Sequence, residues 1–241
     1  MMMKPKIHAH VVIRDEEKYI KPTLLSVCEH VDKILVIDNG STDDTISIIK
    51  SLNLPNLMIW DLAVKREHGA AVTLMRNAEL FMSICSGADW MMILDGHEVW
   101  PERDIKRIVG EIIPSGQYDA IATGYYHIIG PRMVCKTNTF DIQWPHDPNG
   151  GGWRIGRFYN LKTIPGIQWN WERSFPHDSL VDGSGDEIIP KYRYHVAGDC
   201  RFFHFNYGKS RNDDQYVRRQ KGPVDGTPIS VPYPVACEGV L

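Results

Sequence analysis

The sequence lacks several features that would assign it to a common class of protein. Its five cysteines are widely spaced and form no CxxC pair, which argues against a disulfide framework or a zinc knuckle and predicts a cytoplasmic protein with reduced thiols. No apolar run approaches the roughly 20 residues of a membrane span, so we expect any work at a membrane to be peripheral. The formal net charge of −3 provides no broad basic field, so duplex nucleic acid is not an expected partner.

Two nucleotide-binding loops of other α/β proteins are also missing. No G-x-G-x-x-G follows the first predicted strand, at residues 7–13, which argues against a dinucleotide oxidoreductase. No Gly-rich loop bearing lysine stands there to hold a triphosphate, so a nucleotidyltransferase ranks low among the functions considered. The 241 residues suffice for one large domain.

Strand-like and helix-like patterns alternate over the first half of the chain. Predicted strands cover residues 7–13, 33–37, 57–60 and 90–94, with helices between them. This order predicts an α/β fold with a mostly parallel, twisted sheet flanked by helices. The second half is strand-rich and irregular. We therefore predict one domain over residues 1–221, with halves at 5–118 and 119–221, followed by a Pro-rich arm at 222–241.

Two local predictions concern the helices of the first half. Ser41 and Thr42 are candidate N-caps of the helix that follows the second strand. The longest helix has an apolar stripe at helical spacing, which we expect to face the core; it comprises Leu74, Ala78, Phe81 and Cys85.

Polar residues stand directly behind two of the predicted strands. Asp95-Gly96-His97-Glu98 follows the apolar run at residues 90–94, at the carboxyl end of a strand, where open α/β sheets bind ligands. Buried carboxylates are costly unless they are paired or hold a metal, and carboxylate with imidazole suits a divalent cation. The alternative interpretation is a polar turn that caps the next helix.

Asp38 occupies the corresponding position behind the second strand, and Gly40 permits a tight turn after it. A carboxylate there can accept a hydrogen bond from a nucleobase N–H or from ribose hydroxyls. The alternative is an Asx-turn that leads into a helix cap.

The order of these segments resembles that of the family 2 glycosyltransferases of GT-A fold. The matching segments are Arg14-Asp15-Glu16-Glu17 after the first strand, VIDNGSTDDT at 36–45, Arg76-Asn77, and Asp95-Gly96-His97-Glu98. The usual family forms are NEE, VDxGSTDxT, RN and a DxD as in LDADE. The resemblance covers residues 7–113. It departs from the family at Asp15, which replaces asparagine, and at His97, which replaces the second carboxylate of DxD.

The resemblance implies a nucleotide-sugar donor, with a UDP-sugar favoured, bound by the half at 5–118. Asp38 would contact the base, and the turn formed by Arg14, Asp15 and Glu16 would wall the nucleotide. Arg76 would lie near the nucleotide, unless it is an ordinary surface arginine of its helix.

The resemblance also implies a divalent metal. Asp95 would reach the ribose or the metal, and His97 would stand where the second carboxylate is lost. His204 would complete the metal site, as a C-terminal histidine does in other GT-A enzymes, unless it is a satisfied core group. Because imidazole disfavours magnesium while the oxygen ligands suit manganese, Mn2+ is favoured over Mg2+. Glu98 is a ligand, a partner of His97, or only a helix-terminal acid.

The half at 119–221 would bind the acceptor, a glycan or other hydroxyl compound. Asp178 lies in an HExL-like element and would deprotonate the acceptor hydroxyl, so that a one-step displacement inverts the sugar. Competing bases are Asp186, Glu187 and Glu172. Flat sugar-stacking faces, or core packing, are expected from four tryptophans, namely Trp144, Trp153, Trp169 and Trp171.

Two functions thus remain open from the sequence. The first is an inverting glycosyltransferase assisted by a divalent metal. The second is a non-catalytic nucleotide- or glycan-binding module on a degenerate GT-A fold, which the missing carboxylate at His97 motivates.

Overall fold

The structure, a computed structural model, describes residues 4–62, 68–130, 133–135, 154–170, 180–205, 226–228 and 234–237. The described strands are β1 (Ile7–Ile13), β2 (Lys33–Asp38), β3 (Leu57–Asp61), β4 (Trp90–Ile93), β5 (Glu98–Val99), β6 (Ala120–Gly130), β7 (Met133–Cys135), β8 (Arg154–Asn160), β9 (Gln168–Trp169), β10 (Leu180–Val181), β11 (Tyr194–Phe205) and β12 (Gly226–Pro228). The described α-helices are α1 (Ile20–Val27), α2 (Thr45–Ser51), α3 (His68–Cys85), α4 (Glu102–Arg107) and α5 (Ile188–Lys191). A π-helical turn (Ile108–Ile112) and a 3-10 turn (Ile113–Ser115) extend α4.

The first half of the chain forms a parallel sheet in the order β3-β2-β1-β4. Its central strands, β1 and β2, are rich in Val and Ile and are buried almost throughout, as expected for a parallel sheet covered on both faces. The strands β1 to β4 were therefore predictable from their apolar runs, and the α/β fold class is confirmed.

The second half continues this sheet with mostly antiparallel strands. Strand β8 pairs with β4 and with β6, and β6 continues to β7 and β12. Strand β11 runs parallel to β6 and antiparallel to the short β5, while β9 and β10 form a separate hairpin-like pair. The described part of the predicted C-terminal arm thus supplies an edge strand, β12. The boundaries at 118/119 and 221/222 stay predictions.

The predicted apolar face of α3 is wrong. Phe81 is 69% exposed and Leu74 is 36% exposed, so the stripe that they share points to solvent. The helix instead buries a face that carries polar and charged side chains, namely Thr73, Arg76, Glu79 and Ser83 beside Ala71, Met75 and Leu80.

The polar face of α3 binds the backbone of β1 where the two elements pack. Buried backbone N–H and C=O groups need partners. Glu79 Oε1 accepts from Val11 N at 2.6 Å. Arg76 Nη1 donates at 2.6 Å to the His10 carbonyl, which also accepts from Leu94 N at 3.0 Å.

The predicted start of α2 is also wrong, by two to three residues. The N-cap position is Asp44, not Ser41 or Thr42. The Ser41 hydroxyl is engaged in the preceding turn, where it donates to Asp38 and accepts from the backbone N–H of Asp15 at 2.9 Å. It therefore joins two loops and does not cap the helix.

Among the described helices, none combines the length and the apolar character that a bilayer crossing requires.

Candidate functional site

Strands β1, β2 and β4 bring their carboxyl ends to one edge of the parallel sheet. Strand β1 lies between the other two, and neighbouring strands are spaced by about 4.8 Å. Asp38 is the last residue of β2, and Asp95 lies two residues after β4. They are therefore separated by about two strand spacings, or about 10 Å, along this edge. The turn that follows β1 lies between them.

Side chain to backbone hydrogen bonds join the turn after β1 to the turn after β2. Asp15 Oδ1 accepts from Thr42 N at 2.8 Å, and the N–H of Glu16 donates to Thr45 Oγ1 at 2.7 Å. Asp15 has a φ of +53°, in the left-handed region that asparagine and aspartate tolerate better than other side chains. The replacement of the family's usual asparagine by Asp15 therefore keeps this backbone conformation.

Asp38 is 2% exposed and is bound within its own turn. Its Oδ2 accepts from the N–H groups of Gly40 and Ser41 at 3.2 and 2.9 Å, and its Oδ1 accepts from the Ser41 hydroxyl. This is the geometry of an Asx-turn. A carboxylate has about four acceptor positions, so about one is left for a ligand. Contact with a base stays a prediction.

Arg76 is a buried residue, 2% exposed, and not a surface arginine of its helix. Its Nη2 donates to Asp95 Oδ1 at 2.9 Å, while its Nη1 is bound to the backbone of β1. The neighbouring Asn77 holds β9 through both of its amide atoms, which bond to the carbonyl and the N–H of Trp169 at 3.1 and 3.0 Å. The Arg76-Asn77 pair therefore fixes Asp95 on one side and β9 on the other.

Trp169 is fully buried and packs in the core, so it offers no open face for a sugar. The other three tryptophans considered for sugar stacking, at 144, 153 and 171, lie outside the described residues.

Strand β11 brings His204 to the edge that carries Asp95. The register of β11 on β5 places His204 opposite Glu98. Asp95, Glu98 and His204 each offer a ligand atom, and these atoms all lie within 4.8 Å of one another. His97 joins them, since its Nε2 is 3.1 Å from His204 Nε2. The structure thus brings His204 to Asp95 and His97, from which it is more than 100 residues away in the sequence.

The donor set is chemically suited to a divalent transition metal. Two nitrogens bound at right angles to one ion, each at about 2.1 Å, lie about 3 Å apart, which matches the spacing of the two Nε2 atoms. Imidazole nitrogens beside carboxylate oxygens favour manganese or a later first-row ion over magnesium. His97, His204 and Asp95 would hold the ion, with Glu98 adjacent.

Two buried arginines oppose the negative charge at this site. Arg157, on β8, is 2% exposed, donates to Glu98 Oε1 and lies 3.6 Å from Asp95 Oδ2. Arg157 and Arg76 thus form ion pairs with both carboxylates of the site, Asp95 and Glu98. Burial raises the pKa of Glu98 to about 8, and the Arg157 charge acts in the opposite direction.

Sequence reasoning missed Glu79 and the role of Arg157. The signal for Arg157 was available: it is a charged residue between Gly156 and Phe158 in the middle of a strand. A charge in such a position is retained when a buried partner balances it.

The structure does not select the predicted base. Asp178 and Glu172 lie outside the described residues. Asp186 is exposed and binds Lys191 Nζ at 2.6 Å, and Glu187 is exposed at the start of α5. The assignment of Asp178 stays a prediction.

Gly96 allows the turn after β4 to close against the turn after β1. A Cβ atom on Gly96 would lie 2.8 Å from Glu16 Cγ and 2.9 Å from Ile13 Cγ2. We expect Gly96→Ala to lower the free energy of unfolding by about 1–3 kcal/mol, the usual cost of overpacking, in urea denaturation. Gly110→Ala is the control, because a Cβ there meets nothing within 4 Å. Equal stabilities of the two variants would contradict the proposed close contact.

A GT-A type fold, with acidic and histidine side chains at the carboxyl ends of its central strands, defines the class of this protein. The family model for glycosyl transferase family 2 matches residues 9–176. The chain therefore belongs to this family, and the resemblance in its motifs is confirmed.

Solved structures are similar to this chain at low sequence identity and with TM-scores under 0.5. Glucosyl-3-phosphoglycerate synthase from Mycobacterium tuberculosis, solved with Mn2+ and UDP-glucose, is 20% identical with a TM-score of 0.38 over 50% of this chain and 44% of that one. The 4-diphosphocytidyl-2C-methyl-D-erythritol synthase of Anaerococcus prevotii is 14% identical with a TM-score of 0.43, over 66% and 72%. This chain thus spans less than half the length of the glucosyl synthase. No curated protein sequence matches it.

Proposed function

We propose that the protein transfers a sugar from a nucleoside-diphosphate donor, a UDP-sugar in preference, to an acceptor hydroxyl with inversion, assisted by a divalent metal. Mn2+ is favoured over Mg2+. The observation that carries the proposal is the convergence of Asp95, His97 and His204 at the carboxyl edge of a parallel sheet, in a chain of glycosyl transferase family 2.

The donor would lie across this edge. Asp38 would accept from the base, and the turn of Arg14, Asp15 and Glu16 would wall the nucleotide. The separation of about 10 Å between the ends of β2 and β4 leaves room for a nucleoside between Asp38 and Asp95. Asp95 would then face the ribose or the diphosphate, with its carboxylate fixed by Arg76.

A bound divalent cation supplies a Lewis acid for the departing diphosphate. For that cation, His97 and His204 would each offer a neutral ring nitrogen, and Asp95 would offer an oxygen. On the acceptor side, Asp178 would take the proton of the attacking hydroxyl. One base acting in one step gives inversion.

A second function is favoured by the two arginines. Because Arg76 and Arg157 already pair with Asp95 and Glu98, the acidic groups are compensated by charges of the chain itself. Such a site could hold a nucleotide or a glycan without performing transfer. This is the non-catalytic module that the loss of the DxD carboxylate at His97 also suggests.

The test is transfer or donor hydrolysis with a panel of UDP- and GDP-sugars, in Mn2+, in Mg2+ and in excess EDTA. We expect His204→Ala to reduce turnover roughly 100-fold, because it removes a ligand of the cation that stabilises the leaving group. His195→Ala is the matched control on the same strand, where the ring stacks on Tyr118 with centroids 4.6 Å apart.

Turnover that persists in EDTA would refute the role of the metal. Calorimetric binding of UDP with no turnover on any donor or acceptor would favour the non-catalytic module.

A further inference from the structure

Glu16 contacts His97 directly. Its Oε1 lies 3.0 Å from His97 Nδ1, and its side chain is nearly buried. An ionised carboxylate has only acceptor oxygens, so the hydrogen of this bond resides on Nδ1 of the imidazole. In the neutral ring, the other nitrogen, Nε2, then carries a lone pair.

That lone pair faces a second histidine. His97 Nε2 lies 3.1 Å from His204 Nε2, with the two rings edge to face at a centroid distance of 4.7 Å. With the Nδ1 proton fixed by Glu16, the Nε2 of His97 is available as a metal ligand. Ligating histidines in proteins commonly donate their other ring N–H to a carboxylate, which fixes the tautomer and the ring orientation.

Glu16 is itself held in place by the fold. Its backbone N–H donates to Thr45 Oγ1 at 2.7 Å, and its carbonyl accepts from Tyr19 N and Ile20 N at 3.0 and 2.9 Å as α1 begins. Gly96 packs on its side chain so closely that no Cβ fits between them. The carboxylate is therefore presented to His97 by a loop that is anchored on both sides.

We propose that Glu16 is a positioning residue that aims His97 Nε2, together with His204 Nε2, at one divalent cation. This role rests on the proposed function, since it uses the same metal site. The Glu16–His97 pair compensates for the lost DxD carboxylate. The imidazole of His97 supplies the ligand atom, and Glu16 supplies the negative charge through its bond to His97 Nδ1. It also reassigns Glu16, which sequence reasoning placed only in the wall of the nucleotide site.

The test is titration of the full chain with MnCl2 alone, followed by calorimetry and by the Mn2+ electron paramagnetic resonance signal, with no donor or acceptor present. We expect Glu16→Gln to weaken Mn2+ binding by about 10- to 100-fold, the usual effect of removing such a carboxylate. Glu17→Gln is the matched control: it removes the same charge from the next residue, whose carboxylate faces the N–H of Asp44 at 3.2 Å. It should change the affinity less than about twofold.

A second comparison separates positioning from a general effect on folding or charge. In a His97→Ala background, Glu16→Gln should change Mn2+ affinity less than about twofold, because the histidine that it positions is gone. An equal loss in both backgrounds would overturn the proposal, as would an unchanged affinity of Glu16→Gln alone.

Failure of the proposed function is distinguishable in the same experiments. Wild-type chain that takes up no Mn2+ would overturn both the metal site and the role of Glu16. Mn2+ uptake that depends on Glu16, without transfer of any sugar, would support the positioning role and refute the activity.

Discussion

Arg157→Met is expected to lower the free energy of unfolding by about 3–5 kcal/mol, the range found when one partner of a buried ion pair is removed. Glu98 is fully buried, and Arg157 donates directly to its carboxylate. Methionine keeps much of the volume of the side chain but removes the cation that Glu98 binds and one of the two described arginines beside Asp95. Urea denaturation at about pH 9, above the raised pKa of Glu98, measures the loss, with an unchanged slope against denaturant.

Two further variants test whether the loss of stability comes from the buried ion pair. Arg107→Met removes an arginine from a pair with Asp199 in which both side chains are exposed, by 42% and 66%, and this should cost less than about 1 kcal/mol. Glu98→Gln combined with Arg157→Met removes both charges, so we expect it to recover a large part of the stability. A cost below 1 kcal/mol for Arg157→Met would show that Glu98 is not held as a buried charge by this arginine.

The sheet edge could be predicted from sequence because its signals are local. Each central strand contains a short apolar run, and the polar residues stand at its carboxyl end, as Asp38 does at the end of β2 and Asp95 two residues after β4. The chain order of these segments then carried the resemblance to a family. The position of these polar residues at the sheet edge can therefore be predicted from short segments of the sequence.

The buried face of α3 could not be predicted in this way. Its apolar stripe gives a helical period, but the period alone does not reveal which face of the helix meets polar groups of β1. Arg76 and Glu79 face inward, where they bond to the His10 carbonyl and to the Val11 N–H. The choice of face is set by hydrogen bonding to a strand, not by hydrophobicity.

The pairings within the site were likewise beyond local patterns. Glu16 meets His97 across 81 residues, and His97 meets His204 across 107. The resemblance suggested His204, because the family has a histidine in that region. For His97 the sequence offered only the adjacent Glu98 as a partner, whereas the structure pairs His97 with Glu16.

Two buried histidines beneath this edge are expected to make folding stability depend on pH. His8 and His10, both on β1, contact the Ser83 hydroxyl from Nδ1 at 3.1 Å and from Nε2 at 2.7 Å. Burial, with the charges of Lys33 and Lys6 against that of Asp32, lowers the pKa of His8 to about 4. Burial, with Arg76 and His8, lowers the pKa of His10 well below its usual value.

The sign of the effect follows from which state binds the protons. Below about pH 6.5 the unfolded chain protonates both histidines while the folded chain keeps them neutral. Their contribution to stability is therefore complete above pH 6.5 and declines as the pH falls, by about 1.4 kcal/mol per unit for each histidine. Glu79 acts oppositely, because burial raises its pKa to about 8 against the effect of Arg76, so its contribution declines as the pH rises above 4.5.

Because these slopes partly cancel, the comparison of variants gives the clearest measurement. We expect the stability difference between wild type and His10→Gln to shift by about 2 kcal/mol in favour of the variant between pH 7.5 and pH 5, since glutamine does not titrate. His8→Gln should shift similarly, and the double variant by about 4 kcal/mol. Ser83→Ala removes the shared hydroxyl but no titrating group, so its cost should be nearly constant over the same range. A pH-independent difference for His10→Gln would mean that the folded chain accepts a proton at His10 as readily as the unfolded chain does, which its burial beside Arg76 opposes.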